Sequence, residues 1–461
     1  MKLTRIITLV LAGVLTAANL SGCETPVQSP DTTLNPNGNT AATPPTDMPR
    51  NPTPLSLVAV NAAPLLETDY AAQHTTARTA ATGANDFAFR LSAALAGQAG
   101  QENFVCSPYS VWLPLAALLN ATDEPYKVDL LSALSASGLS EDDVNRAASR
   151  MLYDLTKQQQ RAWAEESGEH YQDPLKIANA IFVNHDLTLK QSFAQTFMDF
   201  YRGSVFNVDF LSGEAVDSVN NWASEQTEGL ITDIIQEFDP ETVAAIANAL
   251  YFSAGWAKEF DPEETRDDFF RALSGDVNAS FMLREGDGQT YYEDDRVQAM
   301  PLWFGTGGGL YILLPKDGDA PGLLSSMTHV YFQSIQNHTE QKTGKLLLPR
   351  FSVESGIIPL KDTLMSLGVP LFERASAPLR NLFDDAPPAF LSDAVQKAVI
   401  KVDEKGTTAA AVSVMGIEMT SLPMATEPFE MICDRPFVFV LYDNTCDGGS
   451  QVLFTGIVNQ P

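Results

Sequence analysis

The side chains that most often carry catalysis are scattered along this chain of 461 residues. Its histidines are His74, His170, His185, His329 and His338, and none of them lies in an HExxH motif or another metal-ligating spacing. No serine lies in a GxSxG turn, which would expose a hydrolase nucleophile. The pattern therefore indicates no catalytic residues, no metal centre and no cofactor.

One long segment is better suited to be cut by another protein than to do chemistry itself. The stretch between Glu404 and Arg435 contains a single basic residue, Lys405, and follows neither the 2-residue nor the 3.6-residue period of regular structure. A strand pattern, RPFVFVLYD, comes directly after it. An irregular stretch of this length between two strands is usually a functional loop. We interpret it as an exposed bait.

The first residues have the pattern of an export signal. Lys2 and Arg5 precede an apolar run, from Ile6 to Ala18, that is too short to be a permanent membrane-spanning helix. The sequence LSGC follows and ends at Cys23, which resembles the lipobox of bacterial lipoproteins. We expect a signal peptide over residues 1–22 and a lipid anchor on Cys23, at the bacterial cell surface or the periplasmic membrane face, with release to the exterior as an alternative. An unlipidated secretory signal is the other interpretation.

The chain is strongly acidic, with 58 Asp and Glu residues against 29 Lys and Arg residues and a formal net charge of -29. Nucleic acids and anionic lipids bind clusters of Lys and Arg, so a nucleic-acid partner is not expected. The simplest interpretation of the charge is that it keeps an exported protein soluble. No small-molecule substrate is indicated, and we expect a monomer.

The four cysteines do not suggest a disulfide framework. Cys106 lies among apolar residues in NFVCSP and is expected to be a buried thiol. Cys433 and Cys446 bracket a strand pattern, and an extended strand would hold them too far apart to be bonded to each other.

Composition divides the chain into three parts. Residues 23–82 are rich in Pro, Thr, Asn and Ala and are predicted to be a disordered tether behind the signal. From residue 83 to residue 461, helical patterns come first and strand patterns dominate towards the C-terminus, which favours an α+β domain. The GTGGG at 305–309 is predicted to be a hairpin turn rather than a phosphate cradle.

From about Asn85 to Pro461 the chain resembles the serpin family. The motifs that carry the resemblance are NFVCSPYSV, IANAIFVN, VNNWASEQTEGLITDII, NALYFSAGWAKEFDPEET, LLLPRFSV and FLSDAVQKAVIKVDEKGTTAAAVS. The resemblance implies a serpin-like fold with three β-sheets, about nine helices and an exposed reactive centre loop, here at about 404–433. It also implies that the protein is not an enzyme but an irreversible, suicide-substrate inhibitor of serine proteases.

In that mechanism the target protease cuts the loop and forms an acyl-enzyme, and the cut loop then inserts into the main sheet and traps the protease covalently. The native fold is metastable, because insertion releases strain stored in it. The alternative is a non-inhibitory serpin that acts as a surface binding or carrier lipoprotein.

The start of the loop meets the physical requirements for insertion. An inserting strand must donate every ladder hydrogen bond, and the sequence has no proline from Glu404 until Pro423. Small or modestly polar residues occupy the alternate positions that must face the interior, which are Thr407, Ala409, Ala411 and Ser413. The predicted hinge comprises Glu404, Gly406, Thr407, Ala409, Ala410 and Ala411, with Gly406 supplying backbone freedom.

The resemblance also implies a gate beneath the main sheet, where its strands must part, and a breach where the loop enters. The residues at the corresponding positions are Ser107, Pro108, Ser110, Asn220, Gln396 and Trp256. Gln396 stands where many family members have histidine. Its amide can donate and accept hydrogen bonds, but it does not titrate near neutral pH.

The family register, counted from Glu404, puts the reactive bond between Thr420 and Ser421. Met419–Thr420 and Met424–Ala425 are the alternatives. The surrounding sequence IEMTSLPMA is small, aliphatic or thioether in character and contains no Arg or Lys. Proteases whose first pocket holds a buried carboxylate require Arg or Lys there, so we expect elastase-like, subtilisin-like or chymotrypsin-like targets.

Overall fold

The computed structural model describes residues 5–15, 53–54, 70–156, 174–384, 389–406, 427–444 and 450–461. Within these ranges it has nine α-helices. They are α1 (Tyr70–Ala99), α2 (Pro108–Leu118), α3 (Tyr126–Ala133), α4 (Glu141–Leu155), α5 (Gln191–Tyr201), α6 (Glu214–Gln226), α7 (Ala320–Ser325), α8 (His329–Asn337) and α9 (Lys361–Ser366).

Most strands lie in the second half of the chain, as the strand patterns predict. They are β1 (Arg5–Leu15), β2 (Thr53–Pro54), β3 (Phe104–Cys106), β4 (Leu175–Asn184), β5 (Gly203–Val208), β6 (Thr242–Phe252), β7 (Arg266–Ala272), β8 (Gly275–Glu293), β9 (Val297–Trp303), β10 (Gly309–Pro315), β11 (Glu340–Pro349), β12 (Phe351–Glu354), β13 (Ile358–Pro359), β14 (Ala389–Val402), β15 (Phe429–Ile432), β16 (Phe437–Asp443) and β17 (Gln451–Val458).

The strands form three sheets, and the predicted α+β class is confirmed. The large sheet has the order β12-β14-β1-β6-β4-β5-β2, with β13 also paired to β14. The second sheet runs β8-β9-β10-β16-β17-β3, and the third runs β7-β8-β11-β15. The long strand β8 belongs to both smaller sheets, because its first part pairs with β7 and β11 and its last residues pair with β9.

The helices begin where the sequence provides the right start signals. At α4 the Ser140 hydroxyl accepts a hydrogen bond from the Asp143 amide, and the Asp143 carboxylate accepts one from the Ser140 amide. This reciprocal capping box satisfies two amides that a helix end leaves without partners. Helix α2 starts with Pro108, whose missing N–H costs nothing in a first turn, and every one of its residues is buried.

The large sheet is covered on both faces. One face of β6, including Ala244 and Ile246, belongs to the main core that also contains α2. The other face, including Ala245 and Ala247, packs in a second apolar cluster with Trp222 of α6. Burial of both faces explains why the β6 sequence is almost continuously apolar.

The N-terminal strand β1 corrects one expectation. Residues 1–22 are expected to stand apart from the core, yet residues 5–15 form a strand between β14 and β6, parallel to both. The Leu9 side chain is fully buried there. The physical reason is that an apolar run rich in β-branched residues suits a buried central strand as well as an export signal. Cys23 lies outside the described residues, so its lipidation stays a prediction.

The predicted tether also needs a correction. Helix α1 begins at Tyr70, so residues 70–82 of the predicted 23–82 tether are helical, and Ala77 and Ala80 are buried. Residues 53–54 pair with β5 as well. Composition was misleading because alanine, which marks low complexity here, is also the strongest helix former.

Two smaller predictions are confirmed. Gly305, Gly307 and Gly308 lie in the turn that connects the antiparallel strands β9 and β10, and Gly309 is the first residue of β10. Cys106 is a free, fully buried thiol, and burial raises its pKa to about 11. Cys433 is free and buried too, so it is not bonded to Cys446, which itself lies outside the described residues.

Candidate functional site

The candidate site begins where the chain leaves the large sheet after β14, at what we call the upper end of the sheet. The Glu404 carboxylate is 7 % exposed and lies between Arg350 and Thr265. Arg350 donates from Nε to both carboxylate oxygens, at 2.8 and 2.9 Å, and its Nη2 lies 2.6 Å from Oε1. The Thr265 hydroxyl donates at 2.6 Å. We call these three residues the hinge latch.

The electrostatics of the hinge latch favour an ionised Glu404. Burial opposes ionisation, but hydrogen bonds from Arg350 and Thr265 outweigh it and hold the pKa of the Glu404 carboxyl below its usual value. A buried carboxylate with a two-pronged guanidinium partner is a strong, geometrically specific pair. The latch therefore fixes the base of the predicted loop in one position.

Backbone contacts hold the same segment against the end of β6. The Trp256 indole donates to the Asp403 carbonyl at 2.9 Å, and the Trp256 amide donates to the Lys405 carbonyl at 3.0 Å. The Phe260 amide donates to the Glu404 carbonyl at 2.9 Å. Trp256 is itself fixed by stacking on Phe304, with ring centroids 4.9 Å apart. Trp256 thus clamps the point where β14 passes into the loop.

Position 406 accepts only glycine. Its φ is +130°, a conformation that side chains rarely adopt, and it pairs with Gly255 beyond the end of β6. A Cβ at this position would lie 2.5 Å from the Ala254 carbonyl oxygen and 2.8 Å from the Gly255 Cα. The chain can pass close over the upper end of the sheet because no side chain is present.

The predicted gate residues Ser107, Ser110 and Gln396 meet beneath the middle of the large sheet, and we call them the gate cluster. Gln396 is fully buried, its Oε1 accepts from the Ser107 amide at 3.1 Å, and its Nε2 donates to the Ser107 carbonyl at 2.8 Å. The Ser107 hydroxyl donates to the Leu453 carbonyl at 2.9 Å, and its oxygen lies 3.0 Å from the Ser110 hydroxyl oxygen. The cluster ties β14 to the start of α2 and to β17.

Asn220 does not belong to the gate cluster, which corrects the expectation that it lies beneath the sheet. It lies on α6, the helix that covers the opposite face. Its side chain donates to the Ile235 carbonyl at 2.8 Å and accepts from the amides of Ile234 and Ile235. The amide therefore shapes the segment after α6, where backbone groups need partners.

Sequence reasoning missed two asparagines in the middle of the large sheet. The Asn248 side chain donates to Asn179 Oδ1 at 2.8 Å, and the Asn179 side chain donates to the Tyr201 carbonyl at 2.7 Å. Asn248 lies level with Leu11 of β1, which lies level with Gln396 on its other side. The Asn248 Oδ1 has no partner among the described residues. A lone amide inside an apolar strand pattern, as in IANAI and AIANAL, is the signal that could have revealed them.

The rest of the predicted loop lies outside the described residues. This applies to the hinge residues Thr407, Ala409, Ala410 and Ala411 and to the candidate bond residues Met419, Thr420, Ser421, Met424 and Ala425. The far end is described again at Glu427. There the Phe429 ring stacks on Tyr291 at a centroid distance of 4.0 Å, and β15 pairs with β11. The loop thus connects the upper end of the large sheet with the third sheet.

The described residues contain neither a metal site nor a membrane-spanning helix. Among them, no three or more His, Cys, Asp or Glu side chains are grouped so as to hold a metal ion. No helix in these ranges is long and apolar enough to cross a membrane.

Comparison with known proteins gives a consistent result. Residues 82–461 match the family model described as Serpin (serine protease inhibitor). The alpha-1-antiproteinase of Rattus norvegicus is 29% identical over 395 residues, which cover 84% of this chain and 91% of the relative. Among solved structures, the thermophilic serpin tengpin in the native state is similar, with a TM-score of 0.69, 24% identity, and coverage of 86% of this chain and 95% of tengpin. Human thyroxine-binding globulin complexed with its ligand has a TM-score of 0.70 at 22% identity, over 84% of this chain and 99% of the globulin.

Proposed function

Because this chain belongs to the serpin family, whose members are in general protease inhibitors and not enzymes, we propose that it is a suicide-substrate inhibitor of serine proteases. The target protease cuts the loop that begins at Glu404 and forms an acyl-enzyme with it. The freed part of the loop then enters the large sheet as a strand and carries the protease with it. Catalysis belongs to the target, and this chain supplies the substrate-like peptide and the free energy of insertion.

The observation that carries the proposal is that the two central strands of the large sheet, β6 and β14, lie apart and hold another strand between them. An inhibitor that works by insertion needs this ability, because the entering loop must gain hydrogen-bond partners on both sides. The predicted entry point is also suitable, since the chain turns at Gly406 from the end of β14 towards the end of β6. A loop that continues from there has a direct route into the sheet.

The target class follows from the sequence around the candidate bonds. Thr420–Ser421, or the alternatives at Met419 and Met424, would offer small, aliphatic or thioether side chains to the first pocket of the protease. We propose elastase-like, subtilisin-like or chymotrypsin-like enzymes as targets, because trypsin-like pockets require a cation. We further propose that the protein acts as a monomer, exported and held by a lipid on Cys23 at a bacterial membrane face.

The direct test is a denaturing gel after the leaderless chain, beginning at Glu24, is mixed with elastase. An inhibitor gives a complex that resists SDS, whereas a non-inhibitory relative is simply cleaved. Trypsin serves as the control and is expected to give no complex. Mass spectrometry of the C-terminal peptide, separated by denaturation, identifies the cut bond. Cleavage by elastase, subtilisin and chymotrypsin with no covalent complex would refute the proposal.

The mechanism itself is tested by Thr407→Arg. Insertion would have to bury the new charge in the sheet, which is strongly unfavourable, so the variant should become a substrate. We expect the number of inhibitor molecules consumed per protease inactivated to rise at least tenfold. Thr407→Val, which is small and β-branched, is the matched control and should inhibit like the parent chain. An unchanged stoichiometry for Thr407→Arg would refute insertion.

A carrier role is the second candidate, and one observation favours it. A cavity of about 420 Å³ lies between α1, α8 and the second sheet and is lined by Trp303, Tyr311, Phe332 and Tyr442. Thyroxine-binding globulin, a structural neighbour, is a serpin that binds a small molecule. Titration with small aromatic acids, followed by tryptophan fluorescence, tests this role, because Trp303 lies in the wall. A carrier would bind with a defined stoichiometry and give no complex with elastase.

A further inference from the structure

The N-terminal strand β1 occupies the place in the large sheet that a cut loop would need. We propose that residues 5–15 are an intramolecular plug, which keeps the uncleaved precursor from inhibiting, and that removal of the leader arms the inhibitor. The inference rests on the proposed function, because it concerns when the loop can enter the sheet.

The plug is paired along its whole length with β14 and from its second residue onwards with β6, and each ladder has one register shift. It pairs with β14 from Arg5 opposite Ala389 to Leu15 opposite Ile400. It pairs with β6 from Ile6 opposite Thr242 to Leu15 opposite Phe252. The backbone groups that β6 and β14 direct towards each other are therefore already engaged. An incoming strand would find no unpaired backbone groups on these two strands until β1 left.

The loop and the plug compete for one position in opposite directions. Because the loop continues from the upper end of β14 through Gly406, it must run back antiparallel to β14. Strand β1 instead runs parallel to β14 and to β6. Neighbouring strands lie about 4.8 Å apart, so the gap that β1 fills has room for one strand only. Occupancy by β1 and by the loop is mutually exclusive.

The side chains around the gap suit a bulky apolar strand. Leu9 is fully buried in the main core, level with Ile246 on one side and Ala394 on the other. Both walls are rich in alanine, which leaves room for larger side chains from a strand between them. These alanines are Ala244, Ala245, Ala247, Ala249, Ala394 and Ala398. The plug sequence RIITLVLAGVL has no proline and is rich in β-branched residues, as an interior strand requires.

One buried group shows that the plug is not a perfect fit. Leu11 lies between Gln396 and Asn248 in the register, and the Asn248 Oδ1 has no partner in the described part of the chain. With β1 between them, these two amides are about two strand spacings, roughly 10 Å, apart. If β6 and β14 paired directly, the second N–H of the Gln396 amide could donate to Asn248 Oδ1. Departure of the plug would thus satisfy a polar group that its presence leaves unpaired.

The experiment compares the full chain, made by cell-free synthesis so that the leader is retained, with the chain that begins at Glu24. The shorter chain keeps all of the residues that match the family, 82–461. We expect the full chain to form at least tenfold less SDS-resistant complex with elastase. We also expect it to unfold at a higher temperature and to show slower amide exchange in β6 and β14.

Point variants of the full chain separate plugging from other effects of the leader. Leu9→Asp would bury a charge in the core, so it should expel β1 and restore complex formation to the level of the Glu24 chain. Leu9→Val keeps an apolar strand former and is the matched control, expected to stay inactive. A synthetic peptide of residues 5–15, added to the Glu24 chain, should raise its unfolding temperature and suppress inhibition, and the Leu9→Asp peptide should do neither.

The outcomes distinguish this inference from the proposed function. If the Glu24 chain and the full chain inhibit equally, the plug is refuted and the proposed function stands. If neither chain inhibits any protease tested, the proposed function is refuted, and the proposed role of the plug is refuted with it. Equal amide exchange in β6 and β14 of the two chains would refute strand occupancy whatever the inhibition assay gives.

Discussion

The large sheet is held by two polar clusters of opposite character. The hinge latch at its upper end uses an ion pair, in which Arg350 is half exposed and Glu404 is buried. The gate cluster beneath its middle uses neutral groups, and Gln396 and Ser107 are both fully buried. The structure thus places the charged pair at the entry point, where water can reach Arg350, and builds the gate cluster from neutral groups that do not titrate near neutral pH.

This difference separates two ways of controlling strand insertion. A charged, partly exposed latch responds to pH and salt, whereas a dry amide network responds to packing and to strand order. The entry point can therefore loosen without disturbance of the core. The gate can open only if the backbone groups of Ser107 lose their amide partner, which is costly in a buried site.

The largest expected effect comes from charge reversal in the hinge latch. Glu404→Lys would replace the buried carboxylate with a second cation beside Arg350. The free energy of unfolding should therefore fall by about 3–5 kcal/mol. Urea denaturation measures it. The control is Asp142→Lys, which breaks the exposed pair with Arg146 and should cost less than about 1 kcal/mol. Equal losses for the two variants would show that the latch is no stronger than a surface pair.

The gate cluster should be nearly as sensitive, although it has no charge. Gln396→Ala leaves the amide and the carbonyl of Ser107 buried without that partner, and we expect a loss of about 2–4 kcal/mol. Gln396→His is the informative companion. A buried imidazole must stay neutral, so this variant should lose stability as the pH falls below about 6.5, whereas the parent chain has no titration from this position. A flat profile for Gln396→His between pH 5 and 8 would contradict this account.

A smaller effect concerns the pH dependence of the latch. The pKa of Glu404 is lower in the folded chain than in the unfolded chain, so its stabilisation is complete above the unfolded value of about 4.3. That stabilisation is lost as the pH falls through the folded pKa. Thermal unfolding between pH 3 and 7 should show a loss at acid pH that is smaller in Glu404→Gln. An identical slope in the two chains would assign the acid sensitivity to other carboxylates.

The smallest expected effect on stability concerns Ser110 of the gate cluster. Ser110→Ala removes the hydroxyl next to that of Ser107, which still donates to the Leu453 carbonyl, so the loss should be about 1 kcal/mol or less. A double-mutant cycle with Gln396→Ala measures whether the two serines and the amide act as one network. Strict additivity would mean that they are independent contacts.

The sequence predicted the fold because many motifs in a fixed order restrict the architecture more than any single one. It also predicted that Gln396 is able to donate and accept, since an amide has both kinds of group. It did not identify Asn248 and Asn179 as a pair, although both lie in motifs that resemble the family, because a strand pattern does not show which residues of two strands lie opposite each other. A buried amide needs a partner, and the register of β4 against β6 supplies it.

The missed position of β1 has a different physical cause. A run such as RIITLVLAGVL is apolar enough for an export signal and β-branched enough for a central strand, so local pattern cannot separate the two. The decision depends on a partner far along the chain, namely the gap between β6 and β14. The prediction for Asn220 was wrong for a related reason, because the position of a helix in the sequence does not show which face of the sheet the helix covers.

The position of β17 has a consequence for the protein after it is cut. Strand β17 lies between β16 and β3, and its Leu453, Phe454 and Ile457 are fully buried in the main core. A break in the loop would free no small fragment, because the severed C-terminal piece provides interior strands of the second sheet. The nicked molecule should migrate as one particle on a sizing column and as two chains only in detergent. A cleaved molecule would thus keep both of its pieces together until it was denatured.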